Sequence, residues 1–215
     1  MSLPGVGPAF PSWSFFFMKF FILLDDVRYV NMMETFPRMI MIGGTARKSG
    51  KTTWIGRLLE AFGTEYRIGA LKVALYDDEG DFARHYPDAL EERVLMIREE
   101  DPDLKKDSGK YLASGAAESW FMASLPGKEP SVLEKIRSIS ERNDLMILES
   151  NTLRKNIQPG VFVMVNKPDR PAKRSARELA HLVDYTLETG DQAFEDVHQL
   201  IRIHEGRWMI KDTKR

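Results

Sequence analysis

The feature that most constrains this chain is a segment of small residues between an apolar run and an amphipathic run. Residues 43–53 read Gly-Gly-Thr-Ala-Arg-Lys-Ser-Gly-Lys-Thr-Thr. The run before them, residues 39–42, is short, apolar and followed by glycine, as in a buried strand. After them, apolar side chains recur at helical spacing over residues 54–62, and Gly63 is a typical helix stop. The sequence therefore predicts a tight strand–loop–helix connection.

A connection of this kind is suited to binding phosphates. Small residues let backbone N–H groups curl around an anion, and the helix N-terminus adds the positive end of its dipole. Lys51 would neutralise the β- and γ-phosphates, and the Thr52 hydroxyl would coordinate Mg²⁺. We therefore predict a P-loop that binds a nucleoside triphosphate. The predicted nucleotide-binding residues of this segment are Gly44, Thr45, Ala46, Arg47, Lys48, Ser49, Gly50, Lys51, Thr52 and Thr53.

The spacing of this loop differs from the usual G-x-x-x-x-G-K-[ST]. That pattern requires glycine at position 45, whereas this chain has Thr45 and carries its glycine one residue earlier, at Gly44. The alternative is a plain strand–helix turn with a surface lysine. The form G-T-x-x-x-x-G-K-T resembles the loops of dethiobiotin synthetase and of cobyrinic-acid-type synthetases. These proteins belong to the same broad division as the molybdopterin-guanine dinucleotide biosynthesis adaptor (MobB) family, and the resemblance runs from about residue 39 to residue 187.

Strand-like and helix-like patterns alternate along the rest of the chain. The strand candidates are apolar runs without polar alternation, which is typical of a parallel sheet covered on both faces. We therefore predict a three-layer α/β P-loop NTPase fold with a mainly parallel sheet, and ligands at the carboxyl ends of its strands. The further predicted strands are residues 68–75, 120–125, 145–148, 161–165 and 185–187, and the further predicted helices are residues 90–98, 107–116, 132–139, 175–182 and 194–201.

An acidic residue follows the apolar run of residues 145–148. Glu149 in this position could hold Mg²⁺, directly or through water, or orient an attacking group. The alternative is an acid at a strand end that faces solvent. The strand end resembles the L-[VI]-E-G element of the adaptor and dethiobiotin synthetase families, with Ser150 in place of the glycine.

A second block of charged and small residues resembles an element of the adaptor family. That family carries K-D-[ST]-x-[RK] before a stretch of small residues, and this chain has Lys106, Asp107, Ser108 and Lys110 before Gly115 and Ala116. Asp107 could serve Mg²⁺ or a substrate group, and the two lysines could hold an anion. The alternative is a capped helix with a charged first turn.

Lys72 interrupts the apolar run of residues 68–75. A lysine inside a strand is costly unless it is paired, so we predict a partner or a substrate contact. Asp77 and Asp78 follow that strand and could pair with Lys72 or face Mg²⁺. The adaptor family has an acidic, often histidine-rich element here, and this chain lacks the histidines.

The segment Asn166-Lys167-Pro168-Asp169 resembles the N-K-x-D loop that reads guanine. The Asp169 carboxylate could accept hydrogen bonds from guanine N1 and N2, which adenine cannot offer, and Asn166 would hold the loop and the base edge. Relatives in this division also place asparagine here when they bind adenine nucleotides. We favour GTP and keep ATP as the alternative, with an ordinary polar turn as the third interpretation. Lys173, nearby, is interpreted as part of a solvated face.

Composition excludes several classes of protein. With 31 basic and 32 acidic residues the chain has a net charge of −1, so no strong positive field supports nucleic-acid binding. The absence of cysteine excludes disulfides, cysteine metal sites and cysteine nucleophiles. We expect a cytoplasmic protein.

The first residues form a hydrophobic extension. Residues 15–24 read FFFMKFFILL, which is too short to span a bilayer that needs about 20 apolar residues, so we expect no stable membrane insertion. We predict an extension over residues 1–37 and a nucleotide-binding domain over residues 38–215. The extension is either non-native, an added element that packs on the core or on a second subunit, or a peripheral membrane contact.

Three functions fit these motifs. The first is Mg²⁺-dependent binding and slow hydrolysis of GTP or ATP by a protein resembling the MobB-type adaptor, which serves molybdenum-cofactor nucleotide attachment. The second is an ATP-dependent small-molecule kinase or ligase resembling dethiobiotin synthetase, with Lys72, Asp107 and Lys110 on an acidic substrate. The third is a nucleotide-gated module for a protein partner or a second copy. Catalytic candidates are Lys51, Asp107 and Glu149, and candidates for an arginine finger are Arg47 and Arg154.

Overall fold

The computed structural model describes residues 33–211, so the predicted extension over residues 1–37 lies mostly outside the described part. Seven strands form one sheet in the order β3-β4-β2-β5-β1-β6-β7. All neighbours run parallel except β3 and β4, which are antiparallel. The prediction of an α/β fold with a mainly parallel sheet is confirmed. The strands are β1 (Glu34–Gly44), β2 (Ile68–Leu75), β3 (Val94–Glu99), β4 (Glu118–Ser124), β5 (Leu145–Glu149), β6 (Ile157–Asn166) and β7 (Tyr185–Glu188).

Helices connect the strands and flank the sheet. Short 3₁₀ turns accompany them at Pro87–Ala89, Thr152–Lys155, Ala180–Leu182 and Val197–Gln199. Within residues 33–211, no helix is both long and apolar enough to cross a membrane. The helices are α1 (Lys51–Phe62), α2 (Glu79–His85), α3 (Asp107–Ala113), α4 (Glu129–Glu141), α5 (Arg174–Leu179) and α6 (Gln192–Glu195).

Strand β1 shows why the central strands read as unbroken apolar runs. Successive side chains of a strand point to opposite faces of the sheet. Ile40 and Ile42 pack in the core that α1 covers, whereas Met39 and Met41 pack in the core that α4 covers. All four are fully buried, and each contributes about 1.5–3 kcal/mol through burial. The three layers therefore follow from the need to cover both faces of β1.

The prediction of a helix over residues 90–98 was wrong. Strand β3 lies there and pairs antiparallel with β4 at the edge of the sheet. Arg93 precedes it with a φ of 59°, which turns the chain into the strand. Leu95 and Met96 then pack in different cores, on opposite faces of the sheet. Pairing with a distant strand overrides the local helical spacing, since strand formation depends on its neighbours.

The prediction of a last helix over residues 194–201 was also wrong. The chain forms the short α6 and a 3₁₀ turn, and then a hairpin of β8 (Ile201–His204) and β9 (Arg207–Ile210). Glu205 and Gly206 make the turn with φ values of 50° and 66°, as a two-residue hairpin requires. Trp208 of β9 is buried, and its indole N–H donates to the backbone oxygen of Met146 at 3.0 Å.

A buried carboxylate connects β4 with the end of α4. The two carboxylate oxygens of Glu118 accept from the Arg142 guanidinium at 2.8 and 2.7 Å. Asn143 and the Trp120 indole donate to the same carboxylate at 2.6 and 2.8 Å. Burial alone would raise the pKa of Glu118, but the hydrogen bonds and the Arg142 charge outweigh it and lower the pKa to about 2. This carboxylate is therefore a structural group.

Glu118 should make the fold sensitive to acid. Because its pKa is lower in the folded chain than in the unfolded chain, its stabilisation is complete above about pH 4.5 and is lost as the pH falls towards 2. We expect the wild type to lose about 2–3 kcal/mol of unfolding free energy from this group over that range. Urea denaturation at several pH values measures the loss, and Glu118→Gln should remove this component. Equal pH slopes for the two proteins would contradict the assignment.

Candidate functional site

The loop between β1 and α1 reverses direction within a few residues. Residues 45–50 form bends and turns, and α1 begins at Lys51. Lys48 and Gly50 both have positive φ, at 56° and 91°. A side chain at Gly50 would also meet the Phe194 ring, 2.9 Å from the position of a Cβ atom. Glycine at this position therefore serves both the backbone turn and the packing.

The backbone amides of this loop are available to a ligand. Within residues 33–211, no N–H group from Ala46 to Thr53 donates to another protein group, and the helix-internal bonding starts with Trp54 N–H to Gly50 O at 3.0 Å. The amides before this stretch are engaged, because Thr45 N–H donates to Val165 O at 3.0 Å. A run of unbonded amides at a helix start is the arrangement that binds phosphate.

Lys51 explains the unusual glycine spacing. A Cβ atom at Gly44 would lie 2.8 Å from Lys51 Cδ and 2.5 Å from Ser49 Oγ, so the lysine side chain lies back over Gly44. The side chain at position 45 makes a hydrogen bond instead: Thr45 Oγ1 accepts from Lys167 N–H at 3.1 Å. The glycine is therefore required at position 44, under the lysine, and position 45 can carry a side chain.

The acid predicted at the end of β5 faces this lysine. Strand β5 lies beside β1, and Glu149 is opposite Ile42 in the register. The buried Glu149 carboxylate lies 3.5 Å from Lys51 Nζ. It also accepts a hydrogen bond from the hydroxyl of Tyr111. Burial and the Glu149 charge both raise the pKa of Tyr111, so this phenol stays protonated as a donor.

Lys72 has the partner that its apolar surroundings require. It pairs with Asp107 of α3, and the Asp107 carboxylate also lies 3.5 Å from Lys110 Nζ. Burial alone would raise the pKa of Asp107, but Lys72, by hydrogen bond and charge, and the Lys110 charge outweigh it and lower the pKa. The interpretation of Asp77 and Asp78 as partners of Lys72 was wrong. Asp77 is exposed, and Asp78 accepts from Asp81 N–H to begin α2.

These elements enclose one cleft of about 540 Å³. The base of the cleft is the phosphate loop, and its wall is formed by the ends of β2 and β5 and the start of α3. Asp77 and Lys106 are not among the lining residues in the described part of the chain. The side chains and backbone that line it belong to Arg47, Lys48, Ser49, Gly50, Lys51, Thr52, Thr53, Lys72, Asp107, Lys110 and Glu149.

The cleft fits a magnesium ion that is held partly by phosphates. Within residues 33–211, no three acidic or histidine side chains cluster as a complete metal site. Thr52 and Glu149 offer oxygen ligands beside the loop. Mg²⁺ keeps several waters and binds through one or two protein oxygens together with substrate phosphates. The two predicted ligands suit that mode.

The predicted base-reading loop lies beside the phosphate loop, outside the cleft lining. It follows β6, which is the neighbour of β1, and Lys167 N–H connects it to Thr45. The Asn166 side chain donates to Glu188 at 3.2 Å. Asp169 is exposed and makes no hydrogen bond or ion pair within residues 33–211. The assignment of Asn166, Lys167 and Asp169 to the base remains a prediction.

Two further residues, neither of them predicted as a site residue, support the loop. Asn151 holds the end of β1, because its side chain accepts from Gly44 N–H at 2.9 Å and donates to Gly44 O at 3.1 Å. Lys173 donates its backbone N–H to Thr45 O at 2.8 Å. Its side chain is exposed, as the interpretation of a solvated face expects, and it is not among the residues that line the cleft.

Of the two candidate arginines, one lines the cleft. Arg47 belongs to the phosphate loop and is part of the lining. Arg154 is buried and donates to the backbone oxygen of Ile157 at 2.8 Å, with its guanidinium 5.8 Å from the centre of the Phe162 ring. Arg154 therefore has a structural role in the chain as described.

No protein-family model matches this sequence, and no curated protein matches it in sequence. A solved structure that the comparison found is the kinase domain of Escherichia coli tyrosine kinase ETK, with 12% sequence identity and a TM-score of 0.37. The match covers 80% of this chain and 72% of that one.

The contribution of the Tyr111–Glu149 hydrogen bond can be tested by measuring the free energy of unfolding. Tyr111→Phe removes the hydroxyl that donates to a buried carboxylate, and we expect a loss of about 1.5–3 kcal/mol in unfolding free energy. Urea denaturation provides the measurement. Tyr66→Phe is the matched control, because Tyr66 packs partly buried against the same core and its hydroxyl makes no hydrogen bond within residues 33–211. A loss equal to that of the control would show that the hydroxyl does not hold Glu149.

Proposed function

We propose that this protein binds a Mg²⁺–nucleoside triphosphate in the cleft and cleaves the bond to the γ-phosphate. One observation carries the proposal. A stretch of unbonded amides, from Ala46 to Thr53, opens beside the ammonium of Lys51, which lies 3.5 Å from the buried carboxylate of Glu149. Any helix start leaves its first amides without intrahelical partners, but here the unbonded stretch extends back to Ala46, and a lysine and a buried acid lie beside it.

Each residue then has a defined task. The amides hold the phosphate oxygens, and Lys51 offsets the negative charge that develops on the β,γ-bridging oxygen and the γ-phosphate. Thr52 and Glu149 hold Mg²⁺, which supplies further neutralisation of the phosphates when it is bound. Tyr111 fixes the Glu149 carboxylate through its hydrogen bond. Asn151 fixes the end of β1 below the loop.

The base is proposed to be guanine, read by the loop after β6. The Asp169 carboxylate is exposed and free of protein partners within residues 33–211, so its oxygens are available to guanine N1 and N2. The Lys167 N–H bond to Thr45 couples this loop to the phosphate loop. ATP remains the alternative nucleotide.

Hydrolysis by the isolated chain is proposed to be slow. Arg47 is the arginine that lines the cleft among the described residues, and the two carboxylates of the lining, Asp107 and Glu149, are already paired with lysines. This supports a role resembling the MobB-type adaptor, in which a protein partner or a second copy completes the site. The K-D-S-x-K block supports it too, because that block supplies Asp107 and Lys110 to the cleft wall.

A small-molecule kinase or ligase is the second proposal, and a specific observation favours it. Lys72, Asp107 and Lys110 form a charged wall opposite the phosphate loop, where a second substrate would meet the γ-phosphate. Turnover that depends on a small acid supports this proposal, whereas turnover stimulated only by a protein partner supports the first.

Nucleotide binding should depend on Lys51. We expect Lys51→Ala to weaken binding of Mg²⁺–GTP by about ten- to hundredfold, the effect of about 1.4–2.7 kcal/mol from one charge-assisted contact. Titration of a fluorescent GTP analogue measures the dissociation constant. Lys155→Ala is the control, because this exposed lysine pairs with Glu178 at 2.7 Å and is not among the residues that line the cleft. Equal affinity of Lys51→Ala and wild type would reject the proposed site.

Guanine recognition should depend on Asp169. Asp169→Asn replaces an acceptor with a donor, so we expect the ratio of GTP to ATP affinity to fall by about tenfold. Xanthine has an oxygen where guanine has its N2 amine, so the same variant should gain affinity for xanthosine triphosphate. Competition titrations with the three nucleotides measure both effects. A GTP:ATP ratio that stays unchanged in Asp169→Asn would reject the base-reading role.

A further inference from the structure

Strand β3 forms one edge of the seven-stranded sheet and has a neighbour on one side only. Within residues 33–211 it pairs with β4 and with no other strand. An edge strand presents a row of backbone N–H and C=O groups that a further strand can use. The chemistry of this edge therefore indicates what could pair with it.

The alternation of the β3–β4 ladder shows which backbone groups of β3 are free. Leu125 N–H donates to Arg93 O at 3.0 Å, so every second residue from position 93 directs its backbone groups to β4. Val94, Met96 and Arg98 lie between those residues and direct both of their groups outward. Within residues 33–211, no backbone hydrogen bond uses these outward groups. The edge therefore offers donors and acceptors at the spacing of a strand.

Apolar side chains accompany these groups. Ile97 of β3 is 38% exposed, and Leu104, which follows the strand, is 68% exposed. Ile97 also lines a cavity of about 390 Å³ together with Leu95 and Phe121. Residues directly opposite each other on neighbouring strands share a face of the sheet. A side chain placed opposite Ile97 on an added strand would therefore lie on the same face as this cavity.

Unpaired acids lie at both ends of β3. Glu91 and Glu92 precede the strand, Glu100 and Asp101 follow it, and all four are exposed. None of them makes an ion pair or a side-chain hydrogen bond in the chain as described, over residues 33–211. The one cation within the strand is Arg98. Charge complementarity therefore favours a segment that carries lysine or arginine at its two ends.

A second copy of this chain fits the edge poorly. If two β3 strands paired antiparallel about Met96, Glu92 would lie opposite Glu100, and Glu91 would lie opposite Asp101. Like charges directly opposite each other on neighbouring strands are destabilising. The acids therefore disfavour pairing between copies, whereas they attract a basic strand.

We propose that β3 binds an extended, basic segment of another protein, which adds an eighth strand to the sheet. The outward backbone groups of Val94, Met96 and Arg98 bond to the segment, and its basic side chains meet the acids at the two ends of β3. An apolar side chain of the segment lies beside Ile97. Backbone bonds supply the affinity in this mode of binding, and side chains supply the specificity. The docking does not depend on the nucleotide site, so either proposal can fail alone.

A short synthetic peptide tests the docking on the full chain. Its sequence is KKVTVTVKK, acetylated and amidated at its ends. Isothermal titration should show binding at least about tenfold tighter than that of EEVTVTVEE, which has the same centre and the opposite charges. Equal affinity of the two peptides would overturn the proposal.

N-methylated forms of the peptide test the backbone pairing. A valine opposite Ile97 directs its N–H away from β3, whereas the threonine next to it, opposite Met96, directs its N–H to β3. N-methylation of the threonines should therefore abolish binding, and N-methylation of the valines should leave the affinity within about twofold. Equal effects of the two modifications would show that the peptide does not pair as a strand, and would overturn the proposal.

Variants of the edge test the same contact from the side of the protein. Arg98→Pro removes one outward N–H group, and proline is tolerated on an edge strand in this position. It should weaken peptide binding at least about fivefold relative to Arg98→Ala, which loses the same side chain and keeps the N–H. Glu92→Lys should weaken binding about tenfold. Its control is Glu60→Lys, a change of an exposed acid on α1 that should have no effect.

Equal affinities of Arg98→Pro and Arg98→Ala, or an unaffected Glu92→Lys, would contradict the docking of a basic strand. Sedimentation of the chain without peptide tests the other occupant. A monomer is the expected result. A dimer that Arg98→Pro dissociates and Arg98→Ala does not would show that a second copy occupies the edge, and would overturn the proposal.

Discussion

The phosphate loop depends on a change of backbone direction that leaves its amides unbonded. Lys48 and Gly50 accept positive φ, and the chain passes from β1 into α1 without a side-chain cap on the helix. A capped helix start would bond one or two of these amides internally and stabilise the chain by about 1 kcal/mol. The loop forgoes that contribution, so the buried strand β1 and the Asn151 bonds to Gly44 must hold it in place.

Three cations of the cleft, Lys51, Lys72 and Lys110, each have a carboxylate nearby. Lys51 faces Glu149, and in the neighbouring strand Lys72 lies beside Glu149 in the register but pairs with Asp107. Such pairing keeps several lysines in a small space without mutual repulsion. A triphosphate would bring further negative charge to the same lysines. Arg47 and Lys48 add two further positive charges, so five basic side chains accompany two acidic ones in the lining, which suits a ligand of this charge.

Local patterns in the sequence were sufficient to predict the fold class and the position of the loop. The apolar runs of the central strands follow from burial on both faces, and the tight loop before α1 follows from its glycines and small residues. The same reasoning failed where long-range pairing decides the structure. Residues 90–98 form an edge strand because β4 offers a partner, and the final hairpin depends on a turn at Glu205 and Gly206 that a helical pattern conceals.

The side-chain pairs in the wall of the cleft could not be predicted from the sequence, for the same reason. Lys72 was expected to need a partner, but its partner is 35 residues away, and the Tyr111 hydroxyl meets Glu149 across 38 residues. No spacing rule connects such pairs, because they meet only after the strand order is fixed. The loop side of the cleft is built from one contiguous segment, so its position could be predicted from the sequence. The opposite side combines β2, β5 and α3, so its arrangement of charges depends on the fold rather than on any motif.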